Sequence, residues 1–155
     1  MEEGEIVSEF AAFLRRREWR VVVARANNAS VFFTLLDGRR KAPDIVAYRD
    51  RTLLTAEAKP TARAILGTGL RGTSDLECME FLATSDMAKT ELLDKVRPRI
   101  GAGVDLTAVT TATAVVAGDT RTRPVSSPSA HVTWILRRAS KVPTFIVQGG
   151  PHLDL

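Results

Sequence analysis

The chain has 155 residues, 45% hydrophobic and 26% charged, proportions of a globular rather than a disordered chain and the size of a single domain, 1–155. Its net charge of +4, carried mostly by arginine, suits an anionic partner such as nucleic acid. Cys78 is the only cysteine and there are two histidines, which excludes an intrachain disulfide and argues against zinc-type sites. Any metal here would be a hard cation held by oxygen. No apolar run reaches membrane-spanning length, and the opening "MEEGEIVSEF" is acidic where a signal peptide would be basic and then apolar. A cytoplasmic protein with no membrane partner is expected.

In chain order, Ile6, Phe10, Phe13 and Leu14 fall at helical spacing and predict a helix over residues 3–17, with Arg15, Arg16 and Arg17 at the end where the dipole favours cations. The β-branched "RVVVAR" predicts a strand. "ANNAS" is a turn signal, and "VFFTLLDG" is apolar enough for a further strand or an insertion. Two short β-prone segments follow, "PDIVAYR" and "TLLTAEAKP", with Pro43 at a strand start, where proline is tolerated. The polar "RDR" between them predicts a hairpin turn near Asp50.

"ILGTGLRGTSD" reads as a loop. Residues 75 to about 96 read as helix, with Ser74 or Asp75 as N-cap, a second start available at Ser85, and Pro98 just beyond the end. "LTAVTTATAVVAG" predicts a buried strand, "DTRTRPVSSPS" a loop, "HVTWILRRAS" a short helix and "PTFIVQGG" a final strand. The expected fold class is α/β, a mixed sheet flanked by helices in the order αβββαβ followed by a C-terminal αβ.

Chemistry concentrates on the predicted hairpin. Strand alternation puts Leu53, Thr55, Glu57 and Lys59 on one face and Leu54, Ala56 and Ala58 on the other. Asp44 starts the neighbouring strand and lies opposite its partner's end if the turn falls near Asp50. The hairpin therefore gathers Asp44, Glu57 and Lys59, although the two acids are 13 positions apart in sequence. Converging carboxylates repel unless a cation or a proton lies between them. Magnesium suits that place, since it prefers carboxylate oxygens and keeps several waters. A lysine alongside can orient water or stabilise a charged transition state, which is what phosphodiester hydrolysis requires.

The residues Pro43-Asp44 and Glu57-Ala58-Lys59 resemble the signature of the PD-(D/E)xK nuclease superfamily, whose restriction-endonuclease-like core has a helix, three strands, a helix and a strand. Their spacing is similar to that of archaeal Holliday-junction resolvases. The resemblance covers roughly the first sixty residues. It implies Asp44 and Glu57 as ligands of Mg²⁺ or Mn²⁺, Lys59 as the catalytic lysine, and a metal-dependent endonuclease with DNA preferred. Many members add an acid from the first helix; the corresponding position here is Val7, and Glu3, Glu5 and Glu9 compete. Glu9, which flanks the apolar face deeper in the helix, is taken as the third metal ligand. The alternative is a non-catalytic nucleic-acid-binding or assembly module that retains the fold.

Arg39, Arg40 and Lys41 adjoin the hairpin and are expected to hold a phosphate backbone. Enzymes that cut both strands are often two-fold dimers, and "VFFTLL" is the apolar candidate surface for a homodimer. "GTGLRG" matches a dinucleotide-binding pattern but lacks a strand directly before it, and Ser126, Ser127 and His131 lack a nucleophile-elbow sequence.

Overall fold

Helix α1, Glu3–Arg16, follows from its apolar stripe: Ile6, Val7, Phe10, Ala11, Phe13 and Leu14 are all buried. Its first turn is closed by the Glu5 carboxylate, which accepts from the Glu2 N–H at 3.0 Å. The computed structural model describes residues 1–24, 30–67, 72–101, 103–118 and 129–155. Strand β1, Arg20–Ala24, leads to a separate two-stranded hairpin, β2 (Phe33–Thr34) and β3 (Arg40–Lys41). Strands β4, Ile45–Arg49, and β5, Thr52–Lys59, form the predicted hairpin. Helices α2 (Ala62–Leu66), α3 (Asp75–Thr84) and α4 (Asp86–Ile100) precede β6 (Thr110–Ala117), β7 (Thr133–Arg138) and β8 (Thr144–Gly149).

Six strands form one mixed sheet in the order β1-β4-β5-β6-β7-β8. The β5–β6 and β6–β7 pairs are parallel, and the outer pairs are antiparallel. Parallel strands need cover on both faces, and both are covered. On one face Leu54, Ala56, Ala114, Val116 and Ile135 pack with the apolar stripe of α1. On the other, Leu53, Val115, Trp134 and Leu136 pack with Ile65, Met79, Leu82, Leu92 and Val96 of the three later helices. The α/β class, the mixed sheet and the flanking helices are as expected.

The helix expected in "HVTWILRRAS" is instead strand β7, so the chain ends in two strands rather than a helix and a strand. Trp134 and Leu136 belong to one core and Ile135 to the other, so the run alternates between two buried faces. An unbroken apolar run of this length reads equally as buried helix or two-sided strand, and tertiary cover decides. The segment from residue 75 divides at Ser85, whose hydroxyl accepts from the Ala88 N–H at 3.2 Å and caps α4. Pro98 lies inside the last turn of α4 rather than beyond it. "ARAIL" is the short helix α2, capped by Thr61, so Ile65 and Leu66, expected to open a loop, close a helix instead.

Val31 and Phe33 of "VFFTLL" are fully buried in the chain's own core, and Leu36 is its exposed residue. The turn at "ANNAS", the glycine-rich "GTGLRG" and the loop "DTRTRPVSSPS" with Ser126 and Ser127 lie wholly or partly outside the described residues.

Phe10 is fully buried, with its ring centroid 4.8 Å from that of Phe145 on β8. Phe10→Ala is expected to destabilise the fold by about 3–5 kcal/mol, read as a fall in the urea unfolding midpoint.

Candidate functional site

The β4–β5 hairpin turns through two residues, Asp50 and Arg51, both with positive φ (49° and 64°). That twist suits a two-residue connection between antiparallel strands. It fixes the register from Arg49↔Thr52 to Ile45↔Ala56. Asp44 lies one residue beyond the last pair, on the same face as Glu57. Its Oδ2 accepts from the Ala58 N–H at 2.9 Å, and both acids are only 2% exposed.

The remaining groups arrive from separate elements. Glu3 comes from the first turn of α1 and accepts from Lys59 Nζ at 3.0 Å. Gly118, just past β6, makes room for this approach, since a Cβ there would collide with Ile6 Cδ1. Glu3, Asp44 and Glu57 each offer an oxygen within 4.8 Å of the others. From the opposite side, Lys41 on β3 lies 3.2 Å from Glu57 Oε1 and 2.8 Å from Asp75 Oδ1. Asp75 opens α3 behind the N-cap Ser74, and its Oδ2 lies 3.6 Å from Lys59 Nζ.

Burial raises the Glu57 carboxyl well above its ordinary range, and the neighbouring Asp44 charge adds to this while Lys41 opposes it. Asp44 is also raised by burial, against the hydrogen bonds from Glu57 and the Ala58 N–H. Burial by itself depresses both lysines, but their carboxylate partners outweigh it and hold Lys41 and Lys59 above the usual lysine range. Among the described residues, no donor reaches Glu57 Oε2, which is buried. A shared proton or a cation is what would relieve the Asp44–Glu57 pair. Three converging carboxylates, one of them with a buried oxygen left unsatisfied, fit a hard, oxygen-ligated divalent ion.

The structure brings Asp44, Glu57 and Lys59 together. Glu9 lies elsewhere: its carboxylate is ion-paired with Arg137 on β7, with Oε1 accepting from Nη2 at 3.2 Å. Glu3 is the acid of the first helix that meets the other two. Of the basic trio, Lys41 lies within the site. Arg39 is held by Asp37 at 2.5 Å and donates to Thr73 at 2.8 Å, and Arg40 stacks on the Phe32 ring at 4.5 Å. Asp75 had only a capping role by sequence. Its place at a helix start following a loop gave no sign that it would meet two lysines.

No protein-family model matches the chain, and no curated protein matches its sequence. A cleft of about 480 Å³ opens at the opposite end of the same strands, beside Thr52, Thr110, His131 and His152. It contains no comparable group of ligands among the described residues. The candidate site is therefore the carboxylate end. Among the described residues, no helix is long and apolar enough to cross a membrane.

Because both acids are raised in the folded state, the stability they contribute is complete below their ordinary values, 3.8 for Asp44 and 4.5 for Glu57, and declines as pH rises through the folded values. In EDTA, Glu57→Gln is expected to gain stability relative to the parent as pH is raised above that range. Paired urea unfolding curves from acid to mildly alkaline pH measure this. A pH-independent difference would contradict the strained ionisation of Glu57.

Proposed function

We propose that the chain is a divalent-metal-dependent nuclease that hydrolyses phosphodiester bonds, in DNA by preference on the strength of its resemblance to PD-(D/E)xK enzymes. The observation that carries this reading is Glu57 Oε2, buried without a donor beside Asp44 and Glu3. Glu3, Asp44 and Glu57 would hold Mg²⁺ or Mn²⁺. Such an ion supplies a more acidic bound water and neutralises charge on the phosphate.

The chain's own groups do the rest. Ala58 donates to Asp44 and fixes that carboxylate on the strand end. Lys59 projects from the same face as Glu57 and is partly open to solvent, so its ammonium can reach a phosphate oxygen or an attacking water. Glu3 and Asp75 steer it from either side at 3.0 and 3.6 Å. A charge-assisted donor of this kind stabilises the extra negative charge that builds on phosphorus as water attacks. Arg39 and Arg40, on the adjoining hairpin, supply positive charge along the approach of a phosphate backbone.

The test is cleavage of linear duplex, single strand, branched junction and RNA with Mg²⁺, Mn²⁺ or EDTA. Metal-dependent cutting is expected, with Lys59→Met slower by about 10²–10³-fold and Asp44→Asn inactive, both retaining the parent's circular dichroism. Nucleic-acid binding without cutting in any metal would overturn the enzyme reading and favour a binding module.

A further inference from the structure

We propose that Lys41 is a tethered counter-ion of Glu57 which, balanced by Asp75, limits the carboxylate site to a single divalent cation. This rests on the metal-site reading above and adds its charge balance and stoichiometry. The two oxygens of Glu57 have different partners. Oε1 lies 3.2 Å from Lys41 Nζ, whereas Oε2 has no donor among the described residues and is buried. Lys41 is held in this place by two carboxylates, the buried Glu57 at 3.2 Å and Asp75 at 2.8 Å.

Counting the groups joined in this cluster, four carboxylates (Glu3, Asp44, Glu57, Asp75) face two ammonium groups (Lys41, Lys59). With every group ionised, two negative charges remain. One divalent ion neutralises them, and a second would find no net negative charge left to offset its own dehydration. At these distances, and with little water between the groups, such charge differences are weakly screened. The consequence is a pair of opposite effects. Removing Lys41 makes the cluster more negative and strengthens cation binding. Removing the charge of Asp75 makes it less negative and weakens binding, although Asp75 is not itself among the three converging ligands. Damage to the fold would weaken binding in both variants, so opposite signs separate electrostatics from disruption.

The experiment is calorimetric titration of the EDTA-stripped full chain with MnCl₂, free Mn²⁺ being followed by electron paramagnetic resonance. The parent is expected to bind one Mn²⁺, Lys41→Met to bind about tenfold tighter, Asp75→Asn about tenfold weaker, and Lys41→Arg close to the parent. Thermal unfolding gives a second readout: Lys41→Met loses stability in EDTA and regains it in Mn²⁺. Shifts of the same sign in Lys41→Met and Asp75→Asn, two ions of similar affinity in the parent, or no uptake of Mn²⁺ would each overturn the proposal. One bound Mn²⁺ and opposite shifts without cleavage of any nucleic acid would support it while overturning the nuclease reading.

Discussion

Asp44 and Glu57 sit side by side at 2% exposure, an arrangement that costs several kcal/mol per ion unless partners compensate the lost hydration. The partners come from distant parts of the chain: a backbone N–H on β5, a lysine on β3, and acids and a second lysine from α1, α3 and the end of β5. Assembly of the site is thus inseparable from assembly of the fold. Closing the hairpin register places the acids, docking α1 delivers Glu3, and docking α3 delivers Asp75. Among the described residues, Glu57 Oε2 is the one buried side-chain acceptor left without a donor.

The topology explains why this happens where it does. The parallel strands β5, β6 and β7 are covered on both faces, which leaves their ends as the places where polar side chains can gather. At the carboxyl end of β5 the chain departs into α2, and the start of α3 returns close by. In open α/β sheets ligands collect outside such carboxyl ends, where loops and helix starts converge. The cleft at the amino end is roomy but is lined by threonines and histidines rather than by a convergent acidic set. The cleft and the acidic cluster thus lie at opposite ends of one sheet, and convergent charge marks the candidate site.

Much of this was legible in the sequence because it is local. The period of Ile6, Phe10, Phe13 and Leu14 gave α1, and alternation along "TLLTAEAK" placed Glu57 and Lys59 on one face. The short link between β4 and β5 gave the register that brings Asp44 to Glu57. What failed was set by distant packing. "HVTWILRR" carries adjacent apolar residues, and only the presence of cores on both sides of the sheet makes it a strand. Choosing among Glu3, Glu5 and Glu9 required knowing which end of α1 overlies the strand ends. Glu9 is deeper in the helix, but depth carries it along the sheet to Arg137, whereas the first turn meets Lys59. Lys41 looked like one of three similar basic residues, and the β2–β3 hairpin turned it inward.

The two lysines differ in a way that follows from their surroundings. Lys41 bridges Glu57 and Asp75 at 3.2 and 2.8 Å, and one of those partners is almost wholly buried. Moving its ammonium away would leave a desolvated carboxylate with one fewer compensating charge, which is expensive. Lys59 pairs with Glu3 and Asp75, both of them more exposed than Glu57, and its own side chain is 26% exposed. Ion pairs open to water contribute little to stability and exchange readily. On the proposed nuclease reading, an incoming phosphate would therefore take Lys59 from its carboxylates at smaller cost than Lys41. The two lysines are themselves similarly exposed, 22% and 26%, so the difference between them is set by the burial of Glu57 rather than by residue type.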